Sequence, residues 1–246
     1  MTTFLSRRLD RKSAVGLRLT INVALFLVAL WAFGSLLDAV LDNDTLVRWD
    51  LAVNGYFHSH ATPLGLAIFD KVTLLGSVGV WTIVPVVAIW LWRRGETVLL
   101  VGWLGTQLGG EVLQYALKTS VHRTRPQYAA QFLHGRSYSF PSGHTMGSTI
   151  CYPLLMVVLT AMLHWKPARR ISMHVLAAVI IAAVGFSRLY LGVHYPSDVM
   201  GGLAAGLAWL TACLIGINWA REHWKPSVVE AIPGASKVAP NTTSAS

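Results

Sequence analysis

Charged residues are scarce in this chain. Asp, Glu, Lys and Arg make up 13% of its 246 residues, whereas hydrophobic residues make up 54%. Soluble domains usually contain about 25% charged residues. This deficit is evidence against a soluble domain, and it predicts a protein embedded in a membrane.

Acidic residues are the rarer charged type, and cysteines are rarer still. The chain has 20 Lys and Arg against 11 Asp and Glu, which gives a formal net charge of +9. No basic stretch is interleaved with aromatic residues as a nucleic-acid surface would be, so the excess indicates cytoplasmic anchoring of membrane spans. The two cysteines, Cys151 and Cys213, lie in separate apolar stretches and are expected to be free buried thiols without zinc-ligand spacing.

Long apolar runs are what the chain has in abundance. A membrane span needs about 20 apolar residues, and the first run is too long for the apolar core of a signal peptide. The sequence therefore predicts an all-α fold, a polytopic membrane helix bundle with six transmembrane helices and short interfacial helices in segment 49–72. The six predicted spans are about 19–41, 77–93, 97–117, 141–163, 171–188 and 198–219.

Basic residues in the loops predict the orientation of these spans. Most of them fall on one side of a six-span arrangement, which should be the cytoplasm. We expect a basic cytoplasmic tail over 1–18, a membrane domain over 19–225 and a disordered cytoplasmic tail over 226–246, which is rich in Pro, Ser, Thr and Ala. Both termini would be cytoplasmic, and the compact loops favour a multi-pass protein of a bacterial plasma membrane.

Three polar clusters interrupt the apolar pattern. One ends the third predicted span, one opens the fourth, and one bridges the fifth and sixth. In the six-span arrangement all three face the non-cytoplasmic side, where basic residues require a reason such as an anionic ligand. The clusters are Lys118–Pro126, Pro141–His144 and Ser187–Asp198.

The first group of candidate residues has the chemistry of phosphate binding. Lys118, Arg125 and Arg188 can neutralise the charge on a transferring phosphate group without a metal. Ser142 and Gly143 open a predicted helix, whose free backbone N–H groups bind anions, and the glycine lets the backbone come close. We therefore predict a phosphate site with no metal and no cofactor.

Two histidines can carry out the chemical step. Asp198 follows His194 by four residues, and Pro196 between them favours a helix start, so the carboxylate can reach back to the imidazole. Such a contact would fix the tautomer and stabilise the imidazolium. These residues predict His194 as the nucleophile and His144 as the general acid.

The three clusters together resemble the signature motifs of the type 2 phosphatidic acid phosphatase family. That pattern is Lys, six residues, Arg-Pro; then Pro-Ser-Gly-His; then Ser-Arg, five residues, His, three residues, Asp. The chain matches every fixed position in order between Lys118 and Asp198. The resemblance implies a membrane phosphatase with His194 phosphorylated, His144 as acid, Asp198 as its partner and the other motif residues as phosphate ligands.

Three charged residues remain open at this point. Arg123 and Arg136 match no fixed motif position and could be loop charges or site groups. Glu111 lies within the third predicted span, seven residues before Lys118 and on the same helix face. An ionisable group there has either a functional role or a structural hydrogen bond or ion pair.

The expected function is hydrolysis of a lipid phosphomonoester or pyrophosphate, of the undecaprenyl pyrophosphate, phosphatidylglycerophosphate or phosphatidic acid type. The partners would be that lipid and the bilayer, with no nucleic acid and no obligate protein partner. A lipid phosphotransferase would use the same intermediate and is the nearest alternative. A vanadate-dependent haloperoxidase fits six spans poorly, and a scaffold or transporter would not need His144, His194 and Asp198 together.

Overall fold

The computed structural model describes residues 14–42, 45–128 and 137–223, with side chains from 19 to 221. The predicted tail over 226–246 and most of the tail over 1–18 lie outside the described residues. Within the described ranges there is no strand, and the described residues form eight α-helices and a 3-10 turn at Leu74–Gly76. The helices are α1 Ala14–Leu41, α2 Thr45–His60, α3 Pro63–Thr73, α4 Val78–Arg93, α5 Thr97–Val121, α6 Gly143–Leu163, α7 Pro167–Tyr190 and α8 Pro196–His223.

Five helical segments are long and apolar enough to cross a bilayer: Leu19–Leu41, Pro63–Arg93, Gly143–Leu163, Pro167–Tyr190 and Pro196–Arg221. Each contains or overlaps one of the predicted spans, so the all-α membrane bundle is confirmed. The remaining predicted span, 97–117, corresponds to α5, which has 25 residues but does not reach the same apolarity. Gln107, Glu111 and Gln114 lower its hydropathy, so five of the six predicted spans are recovered by length and apolarity.

Segment 49–72 forms two short helices, as expected, but the second of them is more apolar than predicted. α3 continues through the 3-10 turn towards α4, and the two helices together make one apolar segment of 31 residues. Thr62 caps α3 by accepting a hydrogen bond from the backbone N–H of Gly65 at 3.1 Å, and Pro63 occupies the first turn. α3 packs against α7, which places it on the bundle.

Helices α6 and α8 form the centre of the bundle, with α1 packed along α8 and α7 packed along α6. Glycines allow α8 to approach α6 closely. A Cβ at Gly202 would lie 2.6 Å from the carbonyl oxygen of Ser142, and one at Gly206 would lie 3.0 Å from that of Met146. Small residues at such positions are typical of helix pairs in membranes. Because Ser142 precedes α6 directly, this contact fixes where α6 begins.

The bundle is apolar on its outside as well as in its core. Val28 and Trp31 of α1 are 63% and 74% exposed, as expected for side chains that face lipid. The core between α4, α5, α6 and α8 is built around Trp103 and Leu154. Cys151 is buried and Cys213 half-buried, and both are free, as predicted. Most of the buried ionisable groups, by contrast, lie at one end of the bundle.

Candidate active site

The three sequence clusters meet at one end of the bundle. Four helix ends contribute: the last turn of α5, the start of α6, the end of α7 and the start of α8. The loop after α5 adds an arginine. The residues placed there are Lys118, Arg125, Ser142, Gly143, His144, Arg188, His194 and Asp198.

His194 and Asp198 form a buried pair. The imidazole Nδ1 lies 3.2 Å from Oδ2 of Asp198, and the two side chains are 1% and 0% exposed. The backbone N–H of Tyr195 donates to the same carboxylate oxygen at 2.8 Å. Burial lowers the pKa of His194 to about 3, although Asp198 acts in the opposite direction. A neutral imidazole donates from Nδ1 to the carboxylate, which leaves Nε2 with a lone pair that can accept a hydrogen bond.

Arg125 lies directly at this nitrogen. Its Nη1 is 3.1 Å from Nε2 of His194 and donates to the carbonyl oxygen of Val193 at 2.9 Å. Two further hydrogen bonds to Ser137, one to its carbonyl oxygen at 2.9 Å and one to its hydroxyl at 2.8 Å, fix the rest of the guanidinium. The imidazole of the predicted nucleophile, His194, thus faces a cationic group.

Two more cations complete the positive field. Lys118 donates from Nζ to the carbonyl oxygen of Tyr138 at 3.2 Å and interacts electrostatically with Arg125 and Arg188. Arg188 is 6% exposed and donates from Nη1 to Thr73 at 2.7 Å. Its buried Nε has no hydrogen-bond partner among the described residues. A buried donor without a partner is costly, so an anion at this point would satisfy it.

The start of α6 is hydrogen-bonded to the backbone of Asp198. The backbone N–H of Ser142 donates to the carbonyl oxygen of Asp198 at 2.9 Å, and its buried hydroxyl accepts from Thr145 at 3.1 Å, which leaves the hydroxyl hydrogen free to donate. His144 is half-buried and within electrostatic range of Arg188 and His194. His144 therefore lies near the cationic cluster, at a helix start where the first turn leaves backbone N–H groups free.

Gly143 has a packing role in addition to the predicted one. A Cβ at this position would lie 2.0 Å from Nε2 of Gln114 on α5. The absence of a side chain lets the α5 amide pack against the beginning of α6. The expectation that Gly143 permits close approach of a phosphate stays a prediction.

The residue that the sequence left open, Arg123, is part of the site's support. Its Nη1 lies 2.6 Å from Oδ1 of Asp198 and its Nη2 lies 2.7 Å from Oδ2 of Asp50. Both carboxylates are 0% exposed and the arginine side chain is 10% exposed. Its guanidinium also packs over the ring of Tyr195 at 4.4 Å. Arg136, the other residue left open, lies outside the described residues.

Asp50 and two serines were missed by sequence reasoning. Asp50 of α2 accepts a hydrogen bond from the backbone N–H of Ser197 at 3.0 Å and another from the Ser197 hydroxyl. Ser139 donates to Asp198. The available signal was Asp50 itself, an acidic residue in segment 49–72 that a purely interfacial helix does not require. Glu111 interacts electrostatically with Lys118.

Comparison with known proteins identifies related membrane phosphatases. The family model of the PAP2 superfamily matches residues 90–222, more than half of the chain. Phosphatidylglycerophosphatase B of Bacillus subtilis is 31% identical over 188 residues, covering 73% of this chain and 89% of that protein. The putative undecaprenyl-diphosphatase YbjG of Escherichia coli is 31% identical over 175 residues, covering 68% of this chain and 80% of that protein.

A solved structure has the same architecture. The crystal structure of the transmembrane PAP2-type phosphatidylglycerolphosphate phosphatase from Bacillus subtilis superposes with a TM-score of 0.67 and 27% sequence identity. The superposition covers 84% of this chain and 98% of that one. The matched region of the family model includes every residue of the three clusters. The chain therefore belongs to the PAP2 superfamily of type 2 phosphatidic acid phosphatases.

Proposed function

We propose that this chain removes phosphate from a membrane lipid through a phosphorylated His194. One observation carries the proposal: the imidazole is held between Asp198 at Nδ1, at 3.2 Å, and Arg125 at Nε2, at 3.1 Å. This arrangement selects the tautomer that presents the Nε2 lone pair to the cationic cluster. An anion bound by that cluster would lie next to a nucleophile.

In the first step the Nε2 lone pair forms a bond to phosphorus while the bond from phosphorus to the leaving oxygen breaks. Arg125, which donates to Nε2 before substrate binds, turns its N–H to a phosphate oxygen. Lys118 and Arg188 stabilise the charge on the other oxygens. Asp198 accepts the Nδ1 hydrogen bond and stabilises the positive charge on the phosphorylated ring.

His144 handles the proton in both steps. Protonated in the substrate complex, it gives its proton to the leaving oxygen as that bond breaks. Neutral after this step, it accepts a proton from the water that attacks phosphorus, and the bond from phosphorus to Nε2 of His194 then breaks. Its place in the second position of α6, within electrostatic range of His194, supports this role.

The depth of the site supports a lipid substrate. Lys118 lies in the last turn of α5 and Asp198 in the first turn of α8, so the site lies near headgroup depth, about 15 Å from the midplane of a ~30 Å hydrocarbon core. Each buried CH₂ of a lipid chain then contributes about 0.8 kcal/mol. The relatives named as phosphatidylglycerophosphatase and undecaprenyl-diphosphatase support the same class.

Phosphate release from matched substrates tests this proposal. Purified protein in neutral detergent is given phosphatidylglycerophosphate, phosphatidic acid and isoprenyl pyrophosphates, each as a series of increasing chain length, with glucose 6-phosphate as the soluble comparison. We expect kcat/KM to rise with chain length and the His194→Ala variant to release no phosphate. Equal rates for glucose 6-phosphate and the best lipid would contradict the lipid assignment.

We also propose that the site faces away from the cytoplasm, because the opposite loops contain most of the basic residues. Single cysteines at Gln127, beside Arg125, and at Ala168, at the start of α7, are exposed positions at opposite ends of the bundle. In intact cells, a membrane-impermeant maleimide should label Gln127→Cys and not Ala168→Cys. The unmodified chain gives the background from its own cysteines, and the reverse pattern would invert the topology.

A further inference from the structure

A polar cavity lies at the end of the bundle opposite the candidate active site. It has a volume of about 420 Å³ and is formed where α1, α6, α7 and α8 meet. Apolar residues form part of its wall. Its polar lining consists of Asn22, Thr160, Arg170, His174, Asn218 and Arg221.

The length of α8 defines how far the cavity is from the active site. Asp198 lies in the first turn of this helix and Arg221 near its end. About 23 residues separate them, which corresponds to about 34 Å at the rise of an α-helix. The hydrocarbon core of a bilayer is about 30 Å thick. The cavity therefore lies at the headgroup level of the other leaflet.

Two arginines from different helices share this cavity without a counter-charge. Arg170 comes from the first turn of α7 and Arg221 from the last turn of α8. Over the described part of the chain, no carboxylate lines the cavity and neither guanidinium forms an ion pair. Basic residues that only anchor a span point into water separately. Two that converge on one cavity repel each other and favour an anion between them.

A buried hydroxyl in the same cavity adds to the site. The hydroxyl oxygen of Thr160 is buried and has no hydrogen-bond partner among the described residues. His174 is held in place because its Nδ1 donates to the carbonyl oxygen of Arg170 at 2.7 Å. An unmade hydrogen bond from a buried hydroxyl costs about 1–3 kcal/mol, so a ligand that accepts from Thr160 would offset this cost.

We propose that this cavity binds the phosphate headgroup of an anionic glycerophospholipid from the leaflet opposite the active site. Arg170 and Arg221 bind the phosphate oxygens, and one acyl chain lies along the apolar wall formed by Ile21, Val157 and Leu214. The apolar wall and the headgroup depth favour a lipid over free phosphate, which would use only the polar half of the cavity. This binding is independent of lipid phosphate hydrolysis at His194.

Thermal unfolding of the purified full-length protein in neutral detergent tests this binding. The probes are dioleoylphosphatidylglycerol, dioleoylphosphatidylcholine and inorganic phosphate. A ligand that binds only the folded state raises the Tm as its concentration exceeds its Kd. We expect a saturable rise with dioleoylphosphatidylglycerol and little change with the other two. The Arg170→Gln/Arg221→Gln variant should need at least about tenfold more lipid for the same rise, a loss of about 1.4 kcal/mol.

The chain offers a matched control for surface charge. Arg169 is the neighbour of Arg170, carries the same charge and packs over the ring of Trp165 at 4.9 Å instead of lining the cavity. Arg169→Gln should respond to the lipid as the wild type does. If the double variant does not fold, Arg170→Lys and Arg221→Lys keep the charge but not the planar fork, and each should weaken the response severalfold.

Three results would overturn the assignment. An equal loss in Arg169→Gln would mean that the lipid responds only to surface charge. A response abolished by Arg125→Gln but kept by the cavity variants would place the lipid in the active site. A shift reproduced by inorganic phosphate, with no further effect of the lipid, would identify free phosphate as the ligand.

Discussion

Replacing Arg123 by glutamine would leave two buried carboxylates without their shared cation. Arg123 lies 2.6 Å from Asp198 and 2.7 Å from Asp50, and both carboxylates are 0% exposed. Burial acts to lower the pKa of Arg123, but Asp198 and Asp50 outweigh it and raise that pKa, so the side chain is charged at any working pH. Removing one partner of a buried pair costs about 3–5 kcal/mol.

The lower end of that range is the expected value for Arg123→Gln, because both carboxylates keep other donors. Asp50 keeps its hydrogen bonds from Ser197, and Asp198 keeps those from Ser139 and from the backbone of Tyr195. We expect a loss of about 3 kcal/mol in the free energy of unfolding. A carboxylate free to shift also misplaces the imidazole, which should lower kcat about 100-fold.

The assay combines denaturant unfolding with kcat and KM on a short-chain lipid phosphate. Arg123→Gln/Asp50→Asn removes one buried charge together with the cation, so it should be more stable than Arg123→Gln alone, with a coupling of at least about 1 kcal/mol. Arg48→Gln is the matched control, because this exposed arginine of α2 donates only to Thr45 in the described contacts. It should change stability by less than about 0.5 kcal/mol.

Two results would refute the reasoning about Arg123. A loss of less than about 1 kcal/mol would mean that the pair contributes little to folding. A large loss of stability with an unchanged kcat for the folded fraction would mean that Arg123 supports the fold without positioning Asp198 and His194.

Three further predictions concern packing, protonation and cofactors. Gly202→Ala would push on the carbonyl oxygen of Ser142 and should lower kcat/KM at least about tenfold. Gly216→Ala on the same helix meets no atom within 4 Å and should leave kcat/KM unchanged. Equal effects of the two variants would contradict the packing explanation. Burial lowers the pKa of His194 to about 3, so below pH ~6.5 only the unfolded chain takes up a proton there, and stability is lost as the pH falls. The free energy of unfolding of the wild type, measured relative to that of His194→Asn, should drop by roughly 2 kcal/mol between pH 7 and 5. If this difference between the two proteins stayed constant over that range, the imidazole would be protonated in the folded state. Phosphate release should survive excess EDTA and be inhibited by vanadate, and loss with EDTA followed by rescue with magnesium would contradict the metal-free mechanism.

Sequence patterns were sufficient to predict the fold class and to pick out residues that the fold brings together. Apolar runs of span length fixed the helical bundle, and the spacing from His194 to Asp198 predicted their contact because a helix start at Pro196 brings the two side chains together. The predicted span at α5 is the one that is not recovered by length and apolarity. Its polar residues lower its hydropathy, although their side chains share a helix with Lys118 and in part pack against α6.

The supporting network around Asp198 could not be predicted because its members are far apart in the chain. Asp50 and Arg123 are 73 residues apart, and no local periodicity relates α2 to the loop after α5. The sequence left Arg123 open between a loop charge and a site group, and the fold places it between two buried carboxylates. Contacts of this kind depend on tertiary packing, which one sequence without related sequences does not specify.

Trapping the covalent intermediate is the most direct test of the central claim. Protein is mixed with a lipid phosphate that carries labelled phosphorus and a good leaving group, quenched in alkali, digested and sequenced by mass spectrometry. The account predicts an acid-labile phosphoryl group on His194, retained in His144→Ala and absent from His194→Ala. A label on any other residue would contradict it, as would a His194→Ala variant that keeps more than about a tenth of wild-type turnover, a loss of only ~1.4 kcal/mol in transition-state stabilisation.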